Sequence, residues 1–163
     1  GFQQDGSLAI FTNNTEAERF DISGNLGINS TAPTSRLDVV GDAKVSGVVT
    51  ATTYNTTYDL QGSTTASTSS VTQVGIHSAL SSTVYRSVEY MVQATQGTNF
   101  HTTKILAVHN GSTAYLTEYG TIYNNSTLAN YDVDISGGNI RLLSTPASSG
   151  ITTYIISFTS TKV

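Results

Sequence analysis

The stretch Lys104-Ile105-Leu106-Ala107-Val108-His109-Asn110-Gly111-Ser112-Thr113-Ala114-Tyr115-Leu116-Thr117 carries the strongest hairpin signal in the chain. Two extended runs, Lys104 to His109 and Thr113 to Thr117, flank Asn110-Gly111, the dipeptide best able to take the two positive φ angles of a type I′ turn. Period-two alternation continues on either side. From Val84 to Ala94, Val84, Val88, Tyr90 and Val92 share one face and Tyr85, Ser87, Glu89 and Gln93 the other, with Arg86 interrupting the apolar row; this is the pattern of a half-buried strand. Tyr131, Val133 and Ile135 alternate with Asp132 and Asp134. Ser136-Gly137-Gly138-Asn139 then turns the chain into Ile140 to Leu143, a second hairpin. Tyr154, Ile156 and Phe158 alternate with Ile155, Ser157 and Thr159 in a last strand. With Val71 to Ile76 and Thr121 to Asn124 added, seven or eight short strands fall within about 100 residues, and no segment has a helical period. The expected fold is all-β, with an antiparallel β-sandwich of jelly-roll type at its C-terminal end.

Composition narrows the function classes. Of 163 residues, 37% are hydrophobic and only 11% charged, while Ser and Thr fill 48 positions, so polarity comes from hydroxyls. The small net charge of -4 and the content of Leu, Ile, Val and Phe argue against charge-driven disorder. Without cysteine there is no disulfide or thiolate metal site, and no apolar run is long enough for membrane insertion. Seven scattered basic residues form no patch for nucleic acid. Gly1, in place of an initiator Met, is expected of an arbitrary start within a longer polypeptide.

Seven of the eleven acidic residues precede residue 60, against three basic ones, so the first part holds the whole net charge. Gln61-Gly62-Ser63-Thr64-Thr65-Ala66-Ser67-Thr68-Ser69-Ser70 has almost nothing to bury and reads as a linker or as an extended segment along a surface. The chain is therefore expected to divide into segment 1–60 and head 61–163. The first part has short apolar runs, Leu8 to Phe11, Arg19 to Ile22, Leu26 to Ile28 and Arg36 to Val40, each too brief to bury its face within one chain. Packing against copies of itself is the expected solution, an intertwined β-rich shaft in a homotrimer.

The residues Glu18-Arg19-Phe20-Asp21-Ile22-Ser23-Gly24-Asn25-Leu26-Gly27-Ile28-Asn29-Ser30-Thr31-Ala32-Pro33-Thr34-Ser35-Arg36-Leu37-Asp38-Val39-Val40-Gly41 resemble a segment that recurs in tail-fibre and virion structural proteins of tailed bacteriophages. Asp42 to Ala51 resembles the segment that follows it in marine cyanophage fibres. The stretches Val84 to Ser87, Gln93 to Asn99, Leu116 to Gly120 and Asp134 to Leu142 are similar to another recurring phage module. Asn29 departs from the pattern, where Gly is more usual, as does Ala32, where Ser is. The resemblance implies a virion location and a trimeric fibre, with other tail, baseplate or capsid proteins as partners. No autoproteolytic chaperone domain of the kind that follows some phage fibres is recognised.

Catalytic signatures are missing: there is no His-Glu-x-x-His, no phosphate-binding glycine loop and no Gly-x-Ser-x-Gly. Asp132 and Asp134 share a predicted strand face, open to calcium or to sugar chemistry but also the ordinary reading of a solvated outer face. His101 and His109 are expected on one face of a strand, as surface or interface residues more than as metal ligands. No cofactor is expected. Nine tyrosines are a surplus. Tyr115, Tyr119, Tyr123 and Tyr131, with Asn124 and Asn125, offer ring faces and amides suited to a neutral host-surface glycan, although rings of this kind also serve packing. Three functions are weighed: a host-attachment fibre, a capsid, neck or baseplate decoration without receptor binding, and a polysaccharide depolymerase. Length disfavours the third, since two small modules leave no room for a long β-helix groove, and the chain is expected not to be an enzyme.

Overall fold

The structure, a computed structural model, describes residues 4–163; residues 1–3, and with them the expectation made at Gly1, lie outside the described residues. All regular structure among the described residues is β-strand. Packing divides the chain into two compact units, Gly1–Thr50 and Ala51–Val163.

The first unit is a four-stranded sheet in the order β1 (Leu8–Thr12), β2 (Thr15–Phe20), β3 (Leu26–Ile28), β4 (Leu37–Val39). The first two pairings are antiparallel and β3–β4 is parallel. Asn13 and Asn14 close the β1–β2 hairpin with φ of 50° and 63°, the two positive angles a type I′ turn requires. Asn29 also takes positive φ, 55°, which accounts for the Gly usual there: Asn is the side chain that best tolerates this region, and its Nδ2 donates to the Val40 carbonyl at 3.0 Å. Asp21 organises the turn before β3 by accepting from the backbone N–H groups of Ser23 and Asn25.

Register shows how lopsided this sheet is. Leu8, Phe20, Leu26 and Leu37 lie across the four strands in one row, and Ile10, Glu18, Ile28 and Val39 form the next row on the same face. The opposite face carries Ala9, Arg19, Gly27 and Asp38. There Ala9 is fully buried and Arg19 bonds Glu16 and Asp5. The apolar face stays open: Phe20 is 46% exposed, Ile10 46% and Leu37 58%.

The second unit holds two sheets. One has six strands in the order β10 (Ala114–Tyr123), β9 (Asn99–His109), β8 (Tyr85–Gln96), β13 (Thr152–Lys162), β6 (Asp59–Thr68), β5 (Thr53–Asn55). The other has three, β11 (Ala129–Ser136), β12 (Asn139–Pro146) and β7 (Val74–Ser81). All pairings in both are antiparallel. One hydrophobic core joins them. Val88, Tyr90, Val92, Ile105, Tyr154 and Ile156 from the larger sheet cluster with Ile76, Leu80, Val133, Ile140 and Leu142 from the smaller. The alternation read in β8, β11 and β13 is thus the alternation of inward and outward residues.

Three local readings change. The hydroxyl-rich stretch beginning at Gln61 is strand β6 as far as Thr68, paired to β13 on one side and β5 on the other. Main-chain hydrogen bonds need no apolar side chains, so Ser and Thr suffice where a strong neighbour supplies the core. Thr121 to Asn124 is no separate strand; through Tyr123 it continues β10 past a bulge at Gly120. The Asn110-Gly111 hairpin is present but its turn is not type I′. Only Gly111 takes positive φ, 105°, and the Asn110 side chain closes a four-residue loop by accepting from the backbone N–H groups of Ser112 and Thr113. Within the second unit, two consecutive positive φ angles occur at Gly137-Gly138.

Gly62 has a packing role. A Cβ there would come 2.7 Å from Cζ of Phe158, whose ring lies across β6 beside His77 at 4.6 Å between centroids. His77 is buried and contacts the Tyr90 hydroxyl through Nδ1 at 3.1 Å.

Candidate functional site

The bulge in β10 decides where the tyrosines go. Before it, Tyr115 pairs with Val108 and Tyr119 with Lys104, on the outward face of the six-stranded sheet. After it, Tyr123 pairs with the buried His101, on the inward side. Gly120, at φ 64°, supplies the conformation that makes this slip cheap, and an isolated Gly inside an alternating strand is the sequence signal for it.

The sequence-selected residues therefore do not form one cluster. Tyr115 and Tyr119 stand exposed on the outer face. Tyr123 packs edge-on to His101 at 6.2 Å, and Tyr131 lies 5.8 Å from the same ring. The Tyr131 hydroxyl is buried without a hydrogen-bond partner among the described residues, and burial pushes its pKa up. Asn124 ties down the loop: Oδ1 accepts from the Phe100 N–H at 2.8 Å and Nδ2 donates to the Thr98 carbonyl at 3.0 Å. Asn125 reaches Asn99 at 3.5 Å.

The remaining sequence candidates have structural partners. Asp134 pairs with its cross-strand neighbour Arg141, whose guanidinium hydrogen bonds hold the carboxyl below the usual range. Asp132 meets Gln73. His101 and His109 do share the inward face of β9. His109 Nε2 donates to the Tyr85 carbonyl at 2.6 Å while Nδ1 accepts from the Gly111 N–H, so this ring pins the hairpin loop. His101 Nδ1 accepts from the Leu128 N–H; burial lowers its pKa, with Glu118 pulling the other way.

A polar site missed by sequence lies on the same outward face as Tyr119. Strands β9, β8, β13 and β6 lie side by side, so the hairpin residues Glu89 and Lys104 are joined by Thr159 and Gln61 from two segments distant in sequence. Long side chains on β8 and β9 stand beside Ser157 and Thr159 on β13, and the step between them leaves a trough of about 380 Å³. Lys104 Nζ donates to Glu89 Oε1 at 2.7 Å and the Tyr119 hydroxyl donates to the same oxygen at 3.0 Å. These two bonds hold the Glu89 carboxyl below its ordinary pKa, so it is ionised at neutral pH. No trio of His, Cys, Asp or Glu side chains suited to a metal occurs among the described residues.

The chain matches no family model and no curated protein. In structure it is similar to the tailspike protein of Acinetobacter phage vB_ApiP_P1, with 18% identity over 74% of this chain and 24% of that one, at a TM-score of 0.49. It is also similar to a tailspike of Acinetobacter baumannii bacteriophage Fri1, with 10% identity over 78% of this chain and 26% of that one, at a TM-score of 0.41. The chain spans about a quarter of the length of these solved tailspikes. The Fri1 protein is described as a capsular polysaccharide depolymerase. That finding overturns the expectation that the chain is no enzyme. The expectation leaned on size, and a segment matching a quarter of a longer protein gives no measure of the groove that protein carries.

Proposed function

We propose that the chain is part of a bacteriophage tail fibre, a homotrimeric virion appendage whose first unit is a shaft segment and whose second is a jelly-roll-like β-sandwich head for attachment to the host surface. The observation that carries this reading is the open row Leu8, Phe20, Leu26 and Leu37 with Ile10, Ile28 and Val39 beside it. Such a face is unfavourable in water by roughly 25 cal/mol per Å² of apolar surface, and identical copies packed about an axis remove it. The fibre-like segment from Glu18 to Gly41 contains β3, β4 and most of this row, which ties the sequence resemblance to the surface that needs covering. The head is the part presented to the host, where three copies turn weak contacts into avidity. Tyr115 and Tyr119 are the exposed rings on its outward face for a glycan.

Sedimentation of the whole chain tests the assembly. The parent is expected as a trimer and Leu26→Asp as a smaller species with its second unit folded; a folded parent monomer rejects the reading. Binding to host cells separates attachment from the alternative, a capsid, neck or baseplate decoration that binds no receptor, and a reducing-sugar assay run beside it reports whether glycan is also cut.

A further inference from the structure

We propose that the trough beside Glu89 on the outward face of the six-stranded sheet is a saccharide-binding site that takes a vicinal diol of a neutral sugar. The proposal rests on the host-attachment reading and gives it a location. Both hydrogen bonds to the Glu89 carboxylate fall on Oε1, and Oε2 has no partner among the described residues. Lys104 Nζ uses one of its three N–H donors on Glu89 and has no other partner among the described residues. An acceptor and a donor therefore sit side by side, already oriented by each other and by Tyr119. Adjacent sugar hydroxyls match that pattern, because one donates to Oε2 while its neighbour accepts from Nζ. Ser157 and Thr159 on the floor and the Gln61 amide on the far side have no hydrogen bonds of their own among the described residues, and each both donates and accepts. Met91 lines the same trough and offers an apolar patch to the C–H face of a ring.

The charge balance selects the ligand class. Lys104 neutralises Glu89, so neither an anion nor a cation is favoured overall. A second protein surface pressed onto this face would bury the ion pair and leave the trough's hydroxyls to find partners, a desolvation cost that often exceeds the Coulombic gain. A polyhydroxyl ligand replaces the hydrating water bond for bond. The exposed Tyr119 at one side and the half-open floor allow a chain of sugars to lie across the strands without entering the core.

The test is titration of the whole parent chain with isomaltohexaose, cellohexaose and mannohexaose, followed by ligand-observed NMR. At least one is expected to saturate in the millimolar range, as suits a single shallow site. Glu89→Gln should weaken it by about tenfold or more, through loss of a charge-assisted bond. Ser157→Gln, which fills the floor from the exposed side, should abolish it while leaving the melting temperature within about 2 °C. The proposal is overturned if none of the three binds, if both variants bind like the parent, or if either variant changes the sedimenting mass, which would make this face a contact between copies. Oligomer binding without attachment to host cells keeps the site and rejects the attachment reading; attachment that survives Glu89→Gln does the reverse.

Discussion

The two units dispose of their apolar side chains in opposite ways. In the second, Tyr90, Val92, Tyr154, Ile156, Ile140 and Leu142 are fully buried between two sheets that belong to the same chain. In the first, Ala9 is fully buried and Pro33 is buried, while Phe11, Phe20, Ile22, Leu37 and Val48 stand in the open. Strand length accounts for much of this. Strands of three to six residues present at most three side chains to a face, and a single sheet has no second layer to meet them. Strands of eight to twelve residues present four or more, and chain order supplies the second sheet. A unit of the second kind carries its own core; one of the first kind leaves its apolar face open.

Core truncation should separate the units most sharply. Ile156→Ala is expected to cost about 4 kcal/mol by leaving a cavity where both sheets pack, and a fragment of residues 51–163 should carry the same loss in urea denaturation. Under the proposed trimer, Leu26→Ala should cost much less in dilute protein, and its melting temperature should rise with protein concentration. A concentration-independent melt for that variant and its parent breaks the contrast. Next in size is Gly62→Val, expected to destabilise the second unit by about 1–3 kcal/mol because the new side chain meets the Phe158 ring, with the first unit unaffected by hydrogen exchange.

Acid should reach the units in turn. All three histidines lie in the second unit. Burial holds His77 and His101 below the ordinary pKa of 6.5. Below that value the unfolded chain binds protons that the folded chain refuses, so stability falls as pH drops from about 6.5 and is level above it, by at most about 1.4 kcal/mol per pH unit for each ring. His77→Gln should flatten part of that slope. In the first unit the hydrogen bonds of Ser7 on Asp5 and of Arg19 on Glu16 lower carboxyl pKa values, so its pH-dependent loss begins only as pH falls into the carboxylate range. The smallest effect is local: Asn29→Ala should cost about 1 kcal/mol through its positive φ, and Asn29→Gly only a few tenths, as read by the melting of the whole chain.

What sequence conveyed follows from where the information sits. The strands β8, β11 and β13 were legible because their inward rows are apolar and their outward rows polar, so alternation reports burial directly. Strand β6 was not, because its place between β13 and β5 is fixed by backbone pairing and by the allowance at Gly62, neither of which shows in hydropathy. The tyrosines looked like one surface because spacing was counted without the extra residue at Gly120; the bulge sends Tyr119 and Tyr123 to opposite sides. The trough was invisible for a topological reason. Glu89 and Lys104 share a hairpin, but they meet Thr159 and Gln61 only through a strand order that departs from chain order, and a single sequence carries no record of that order.

That order also sets a schedule. Strand β13 lies between β8 and β6 and is the last of the three to be made, starting at Thr152 while β6 ends at Thr68. On the ribosome β6 waits for its neighbour on the order of ten seconds at about 5–20 residues per second, and during that interval both β6 and β8 expose an edge that the finished sheet conceals. The hydroxyls that make β6 look like a linker serve it well in that interval. A waiting edge built from Ser and Thr stays hydrated, where one built from Val and Ile would invite the nearest nascent chain.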